Sequence, residues 1–363
     1  MAGSETPRPE TSVGRRTVPL SATVEDARRL FGSDWATVVA RAFRWMVFAR
    51  SFDARMQGLQ RQGRIGFYGA ATGQEAVNVA VGLLSRPEDW IAPGLREQLV
   101  ALVRGHPVSS YVDHLFANAR DPALGRNMPC HPTARDVHYL SMSSVIGTQI
   151  THAVGLGYAL RLRRDPGVVF AFFGDGATSA NDFHAGLNFA GVWGVPVVFC
   201  LTNNQWAISQ PVERQSATAT LAEKAAAYGI AGRRVDGTDF FAVAEALRAA
   251  IGLAREQKLP SLLEFVVYRM TPHSTSDDPT RYQPPEFLAA AAAHDPLERL
   301  GDWMRANGLA KAAEVETVRA DCDSEIRRAI ESAEAVPPPD PESLFRDVRS
   351  PLPKERSRSQ EVS

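Results

Sequence analysis

Two short, uninterrupted apolar runs constrain the fold of this 363-residue chain more than any other feature. The first run covers residues 168–173 and the second covers residues 196–201. Runs of this length without polar alternation are typical of strands buried on both faces, as in parallel sheets. A helical pattern at 179–193 separates them, with Ser179 as a candidate N-cap. The pattern predicts a strand–helix–strand unit whose two strands are parallel neighbours.

Further elements extend this unit along the chain. A strand is predicted at 233–235, a helix at 240–256 and another strand at 262–268. Strands that alternate with helices favour an α/β fold, with a doubly wound, mostly parallel sheet flanked by helices. Additional helices are predicted on the N-terminal side at about 24–55 and on the C-terminal side at 296–307 and 311–333.

The composition divides the chain into three parts. Residues 1–20 are polar and Pro-rich and are predicted to be disordered, residues 21–335 form one α/β domain, and residues 336–363 form a C-terminal tail. The chain has neither the apolar stretch of a secretory signal nor one long enough to span a bilayer. Its three cysteines fit no pairing or zinc pattern, which favours a reducing compartment. We therefore expect a cytoplasmic protein without a membrane partner.

The charge balance argues against one class of partner. Lysines and arginines number 40 and aspartates and glutamates 41, for a net charge of −1. A protein that binds nucleic acid needs a basic face to contact the phosphates. We expect no nucleic-acid partner.

Polar segments follow both apolar runs directly. Gly174-Asp175-Gly176 comes after the first run, and Asn203-Asn204 comes after the second. Ligands of open α/β sheets bind at the carboxyl ends of strands, where both segments are predicted to lie. Carboxylate and amide oxygens suit magnesium, and glycines let backbone N–H groups approach an anion. The helix predicted to begin near Ser179 directs its positive end to the same place. Together they predict a magnesium-diphosphate site.

An alternative explanation of the glycines is a generic phosphate cradle in a nucleotide or sugar-phosphate enzyme. Such an enzyme would need a P-loop lysine or a dinucleotide fingerprint. The sequence contains neither GxxxxGK[ST] nor GxGxxG.

The segment from residue 174 to 209 resembles the thiamine-diphosphate motif of 2-oxo acid dehydrogenase alpha subunits, the decarboxylating components of the branched-chain and pyruvate complexes. The resemblance covers about residues 40–335 and the segment SLFRDV at 343–348. It implies the thiamine-diphosphate-binding fold. The separate matches are GRIGFY at 63–68, GLREQ at 94–98, SMSSVIGTQ at 141–149, RVDGTD at 234–239 and PHSTSDDPTRY at 272–282.

The resemblance implies roles at the cofactor's diphosphate end. The side chains of Asp175 and Asn204 and the carbonyl of Trp206 match magnesium ligands. Leu95 stands where many relatives carry a tyrosine that can touch phosphate, and Thr202 stands where some carry an arginine. The positions that match diphosphate contacts are Arg96, Gly174, Gly176, Ala177, Asn204 and His273.

The SMSSVIGTQ segment implies further contacts. Ser144 matches a backbone contact to the aminopyrimidine, and Ile146 matches the apolar wedge that bends the cofactor. Phe67 and Tyr68 match positions of the substrate pocket, and their identity favours branched-chain 2-oxo acids as substrates. Some branched-chain relatives bind potassium at this loop, and the matching positions are Ser143, Val145, Thr148 and Gln149.

His273 is the residue expected to take part in the chemistry. The resemblance places it beside the diphosphate and the reacting centre, where an imidazole can donate to phosphate or move a proton near neutral pH. Ser274 matches a position that is phosphorylated in some eukaryotic relatives.

The resemblance implies an alpha subunit that oxidatively decarboxylates branched-chain 2-oxo acids and passes the acyl group to a lipoyl-bearing acyltransferase. Pyruvate and acetoin remain alternative substrates. The activating glutamate of this family comes from a beta subunit, so activity is expected only in an α2β2 heterotetramer. A non-catalytic scaffold on the same fold would be expected to lack the metal pair or His273, and both are present.

Overall fold

A computed structural model describes residues 17–345, apart from the side chain of Ala312. Its centre is a five-stranded sheet with the order β1–β2–β3–β7–β6, in which every neighbouring pair is parallel. The strands are β1 (Trp90–Ala92), β2 (Val169–Gly174), β3 (Val197–Asn203), β6 (Ala231–Asp236) and β7 (Ser261–Val266), and β4 (Trp206–Ala207) and β5 (Gln210–Pro211) form a separate antiparallel hairpin.

Helices cover both faces of the sheet because the side chains of its strands alternate between two apolar clusters. Phe170 and Phe172 pack on one side with the helices Trp35–Arg61, Glu75–Leu84 and Phe240–Gly252. Val169, Ala171 and Phe173 pack on the other side with the helices Thr148–Leu162 and Asn181–Trp193. The α/β class, the parallel sheet and the adjacency of β2 and β3 are confirmed. The helices are α1 (Val24–Phe31), α2 (Trp35–Arg61), α3 (Glu75–Leu84), α4 (Gln98–Val103), α5 (Val108–Phe116), α6 (Thr148–Leu162), α7 (Asn181–Trp193), α8 (Phe240–Gly252), α9 (Pro285–Ala293), α10 (Pro296–Ala306) and α11 (Ala312–Glu334).

Several element boundaries differ from the sequence prediction. The expected helix at 24–55 is interrupted at Gly32, whose φ of 69° ends α1, and α2 continues to Arg61. Ser179 is not the N-cap of α7, because a 3-10 turn (Asp175–Ser179) comes first and Ala180 caps the helix without a side-chain bond. The helix expected at 240–256 ends at Gly252 and continues as a π-helical turn, Leu253–Gln257.

Both predicted tails contain segments that pack on the domain. The backbone N–H of Val18 donates to the carbonyl of Ala293 at 2.8 Å, so disorder does not extend through residue 20. The N–H of Ala119 donates to the carbonyl of Pro337 at 2.9 Å, and Pro341–Phe345 forms a 3-10 turn. Residues 1–16 and 346–363, including the end of SLFRDV, lie outside the described part. Within residues 17–345 no helix combines the length and apolar character needed to cross a membrane.

Candidate active site

A cavity of about 310 Å³ lies at the carboxyl ends of β1, β2 and β3, and His273 reaches it from the segment after β7. The chain passes from β3 to the edge strand β6 and returns to β7, so the strand order reverses between β3 and β7. Such reversal points form the ligand crevice of doubly wound sheets, and this volume is within the usual range for ligand pockets. The lining includes Gln74, Leu95, Arg96, Glu97, Met142, Ser143, Ile146, Gln149, Gly174, Asp175, Gly176, Ala177, Thr202, Asn204, Trp206, Ile208 and His273.

Asp175 is a buried carboxylate in the wall of this cavity, with 1% of its surface exposed. It directly follows β2, and its Oδ2 accepts a hydrogen bond from Nε2 of Gln215 at 2.7 Å. Burial is the main cause that raises the pKa of Asp175, since a desolvated carboxylate is less stable when ionised. A cation beside Asp175 would relieve that cost, so the position suits a metal ligand.

The two asparagines after β3 have different surroundings. Nδ2 of Asn203 donates to Oε1 of Glu264 at 2.7 Å, which ties the end of β3 to β7. Asn204 lines the cavity, and its Oδ1 accepts only a long bond of 3.3 Å from the N–H of Trp206. Of the pair, Asn204 therefore has the oxygen available to a ligand, while Asn203 has a structural role.

Gly176 allows two segments to approach closely. A Cβ atom at this position would lie 2.7 Å from the Cβ of Ala207 in β4, closer than such atoms approach in proteins. Any larger residue at 176 would therefore push the β4–β5 hairpin away from Asp175.

Arg96 is 4% exposed and lines the same cavity as Asp175. Its Nη2 donates to the carbonyl of His273 at 2.6 Å, and its Nη1 donates to the carbonyl of Ala70. Burial, with a contribution from Arg269, lowers the pKa of Arg96 to about 10, so it stays cationic at neutral pH. A buried guanidinium whose hydrogen-bond partners are neutral groups is a strong site for an anion.

His273 is half-buried and sits beside this guanidinium. Its backbone N–H donates to Oδ2 of Asp277 at 2.7 Å, and its Nδ1 lies 3.4 Å from Nη2 of Arg96. Burial, and then the charges of Arg96 and Arg269, lower the pKa of His273 to about 4. The imidazole is therefore neutral at pH 7, and an anion bound in the cavity would raise its pKa again.

Arg269 is a site residue that sequence reasoning missed. It is fully buried, and its guanidinium donates to the carbonyls of Trp206 at 3.1 Å and Ile208 at 2.8 Å and to the hydroxyl of Tyr282 at 2.6 Å. Tyr282 in turn donates to Asp277. Arg269 thus joins the segment after Asn204 to the His273 loop. The signal was present, because an arginine just past the strand predicted at 262–268 obeys the same carboxyl-end rule as Asp175.

The donors and acceptors of the cavity fit a magnesium-diphosphate group. Nε2 of Gln74 and Oγ1 of Thr202 are buried without a hydrogen-bond partner among the described residues, and both residues line the cavity. Unsatisfied buried polar atoms are costly and often mark a ligand site. Within residues 17–345, no group of three or more His, Cys, Asp or Glu side chains is placed so that it could hold a metal ion. A site with few protein oxygens suits magnesium, which takes its other ligands from phosphate and water.

The SMSSVIGTQ loop is only partly in the cavity wall. Ser143, Ile146 and Gln149 line the cavity, whereas Ser144, Val145 and Thr148 do not. Oγ of Ser144 lies 2.5 Å from Nε2 of His131 instead.

Phe67 and Tyr68 do not line this cavity either. Tyr68 is buried and its hydroxyl donates to Oδ1 of Asp53 at 2.6 Å, while Oγ1 of Thr72 donates to Oδ2 of the same carboxylate at 2.6 Å. The hydroxyl is used to satisfy a buried charge, so Tyr68 has a structural environment in this chain.

Glu97 is a second residue that the sequence did not single out, and it carries a testable pH dependence. It is 4% exposed, and burial raises its pKa from 4.5 to about 7. The folded chain then binds more protons than the unfolded chain between about pH 4.5 and 7, so ionised Glu97 progressively destabilises the fold as pH rises through that window. The free energy of unfolding of Glu97→Gln, relative to that of wild type, should therefore increase by up to about 3 kcal/mol from pH 4 to pH 8.

Urea unfolding at a series of pH values measures this difference. Glu316→Gln, the same substitution at an exposed position on α11, provides the matched control. A constant difference between Glu97→Gln and wild type from pH 4 to 8 would contradict the assignment.

Comparison with known proteins adds a sequence relationship to this geometry. Residues 43–342 match the family described as dehydrogenase E1 component. The chain is 36% identical over 351 residues to 2-oxoisovalerate dehydrogenase subunit alpha 1, mitochondrial, of Arabidopsis thaliana, covering 95% of this chain and 74% of that protein. It is 40% identical over 291 residues to the 3-methyl-2-oxobutanoate dehydrogenase subunit alpha of Mycobacterium tuberculosis (79% and 77% covered). It is 39% identical over 295 residues to the pyruvate dehydrogenase E1 component subunit alpha of Bacillus subtilis (81% and 77% covered).

Proposed function

We propose that this chain, which belongs to the dehydrogenase E1 component family, is the alpha subunit of an enzyme that oxidatively decarboxylates branched-chain 2-oxo acids. The observation that carries the proposal is the convergence of Asp175, Asn204, Arg96 and His273 on one cavity. The names of the Arabidopsis and Mycobacterium relatives support a 2-oxoisovalerate-type substrate. A scaffold protein would have no use for this set of buried polar groups.

The chain's own residues would hold the cofactor at its diphosphate end. Asp175, Asn204 and the carbonyl of Trp206 would bind magnesium, and the second lone pair of that carbonyl stays free beside its bond from Arg269. Arg96 and the backbone around Gly174, Gly176 and Ala177 would bind the diphosphate. Thiamine diphosphate would supply the electron sink that lets carbon dioxide leave.

His273 would act near the reacting centre, held in place by Asp277 and Arg96 through its backbone. A neutral ring can accept a proton or a hydrogen bond, and the diphosphate would bring its pKa closer to neutrality. Ile146 would provide the apolar wedge that bends the cofactor.

Three further contacts stay predictions. They are a backbone contact of Ser144 to the aminopyrimidine and substrate contacts of Phe67 and Tyr68. The third is a potassium site at Ser143, Val145, Thr148 and Gln149.

A beta subunit is the proposed partner at the mouth of the cavity. Ile146 and Ile208 line the cavity but are 61% and 54% exposed, and the neighbouring Val145 is 65% exposed. Apolar side chains clustered at a polar site are typical of a surface covered by another protein. An α2β2 assembly, transfer of the acyl group to a lipoyl-bearing acyltransferase and a cytoplasmic location are part of the same proposal.

Decarboxylation assays test the partner and the substrate together. The chain purified alone should show no turnover, and the chain purified with its beta partner should turn over 2-oxoisovalerate faster than pyruvate. Full activity of the isolated chain would refute the need for a partner. Preference for pyruvate would favour the second candidate function, pyruvate dehydrogenase, for which the Bacillus relative is the supporting observation.

A further inference from the structure

We propose that Gln215 is a positioning residue that orients the Asp175 carboxylate, so that one of its oxygens is held by the protein and the other is presented to the metal ion. The inference rests on the proposed magnesium-diphosphate function of the cavity. Gln215 lies outside every segment that the sequence motifs single out, 40 residues from Asp175.

The amide of Gln215 is fixed by two hydrogen bonds. Its Nε2 donates to Oδ2 of Asp175 at 2.7 Å and to the carbonyl of Gln210 at 3.0 Å. These two bonds use both protons of the amide, so the group cannot rotate without losing one of them. The backbone N–H of Gln215 also donates to the carbonyl of Val212 at 2.9 Å, which holds the turn that carries the side chain.

Orientation of Asp175 matters because magnesium demands near-octahedral geometry with short oxygen distances. A buried carboxylate with two free oxygens could rotate or chelate the ion with both of them. The bond from Gln215 occupies Oδ2, while Oδ1 accepts no side-chain hydrogen bond from the described residues and can face the ion. Groups that hydrogen-bond a metal ligand in this way tune metal affinity as strongly as some ligands do.

The chemical type of the donor also fits a cation site. Gln215 is neutral, so Asp175 keeps its full negative charge for the ion. Arg269 is a nearby cation, and its hydrogen bonds go to the carbonyls of Trp206 and Ile208 and to the hydroxyl of Tyr282 rather than to Asp175. A guanidinium bonded directly to Asp175 would neutralise the carboxylate and repel the metal.

The β4–β5 hairpin brings Gln215 to Asp175. Ala207 in β4 packs against the backbone of Gly176, where no Cβ would fit. Gln210 in β5 supplies the carbonyl that fixes the amide. The hairpin therefore closes over the end of β2, and the turn after it delivers the donor.

Magnesium titration at fixed thiamine diphosphate tests the proposal on the full chain purified with its beta partner. Gln215→Met keeps the side-chain length but removes the amide. Isothermal titration calorimetry should show apparent magnesium affinity about 10–100-fold weaker, as for other residues that position metal ligands. Affinity for thiamine diphosphate should recover at saturating magnesium, which a folding defect would not allow. Gln210→Met is the matched control, because its exposed side chain is unused and only its carbonyl is needed.

The outcomes separate the inference from the function on which it rests. Magnesium affinity of a folded Gln215→Met protein within about two-fold of wild type would overturn the inference. If that variant does not fold, Gln215→Asn, whose amide is one methylene too short to make both bonds, takes its place with the same expectation. Unchanged affinity in Asp175→Ala would instead overturn the proposed metal site itself.

Discussion

Asp175→Ala should abolish magnesium-dependent binding of thiamine diphosphate. The substitution removes the charged metal ligand. We expect the binding free energy of the cofactor to weaken by about 3 kcal/mol or more, which corresponds to an affinity at least about a hundred-fold lower. The variant should still fold. Burial raises the pKa of Asp175, so the ionised carboxylate destabilises the native state and its removal should not lower stability. Thermal unfolding without cofactor should stay close to wild type.

Calorimetric titration of the cofactor, with and without magnesium, measures this effect. Asp182 is a suitable control because it lies in the first turn of α7 and does not line the cavity. Asp182→Ala should keep wild-type affinity. Equal affinity of Asp175→Ala and wild type in the presence of magnesium would refute the metal assignment.

His273→Ala should leave cofactor binding largely intact and reduce turnover by about 10²–10⁴-fold, the usual contribution of a general acid or base. Cofactor binding should persist because Arg96 bonds the backbone carbonyl at 273 and Asp277 bonds the backbone N–H, and alanine keeps both groups. The acyl-transfer step is expected to suffer most.

Steady-state kinetics with the lipoyl acceptor, combined with the cofactor titration, separates these two effects. His152→Ala is the control, since His152 is exposed on α6. Wild-type turnover in His273→Ala would remove the residue from the mechanism. Titration of the imidazole by NMR in the cofactor-free chain should show a neutral ring down to about pH 4.

The sequence determined the parts of this protein that follow from local patterns. The apolar runs fixed β2 and β3 as adjacent parallel strands, and the polar residues just past them identified Asp175 and Asn204 as cavity residues. Arg96 and His273 were identified through the resemblance, and the structure brings both into the same cavity. These inferences held because the carboxyl ends of parallel strands must lie at one edge of a sheet.

Other features depend on how distant segments meet, which local patterns do not encode. Gln215 reaches Asp175 because the β4–β5 hairpin closes on Gly176, and the hydroxyl of Tyr68 donates to the buried carboxylate of Asp53. The burial that raises the pKa of Glu97 and lowers that of His273 likewise arises from packing across the chain. The sequence by itself determined the strand ends and the residue types available there. Only the tertiary structure decided which side chains share a hydrogen bond or lose their water, because both require atoms from separate parts of the chain.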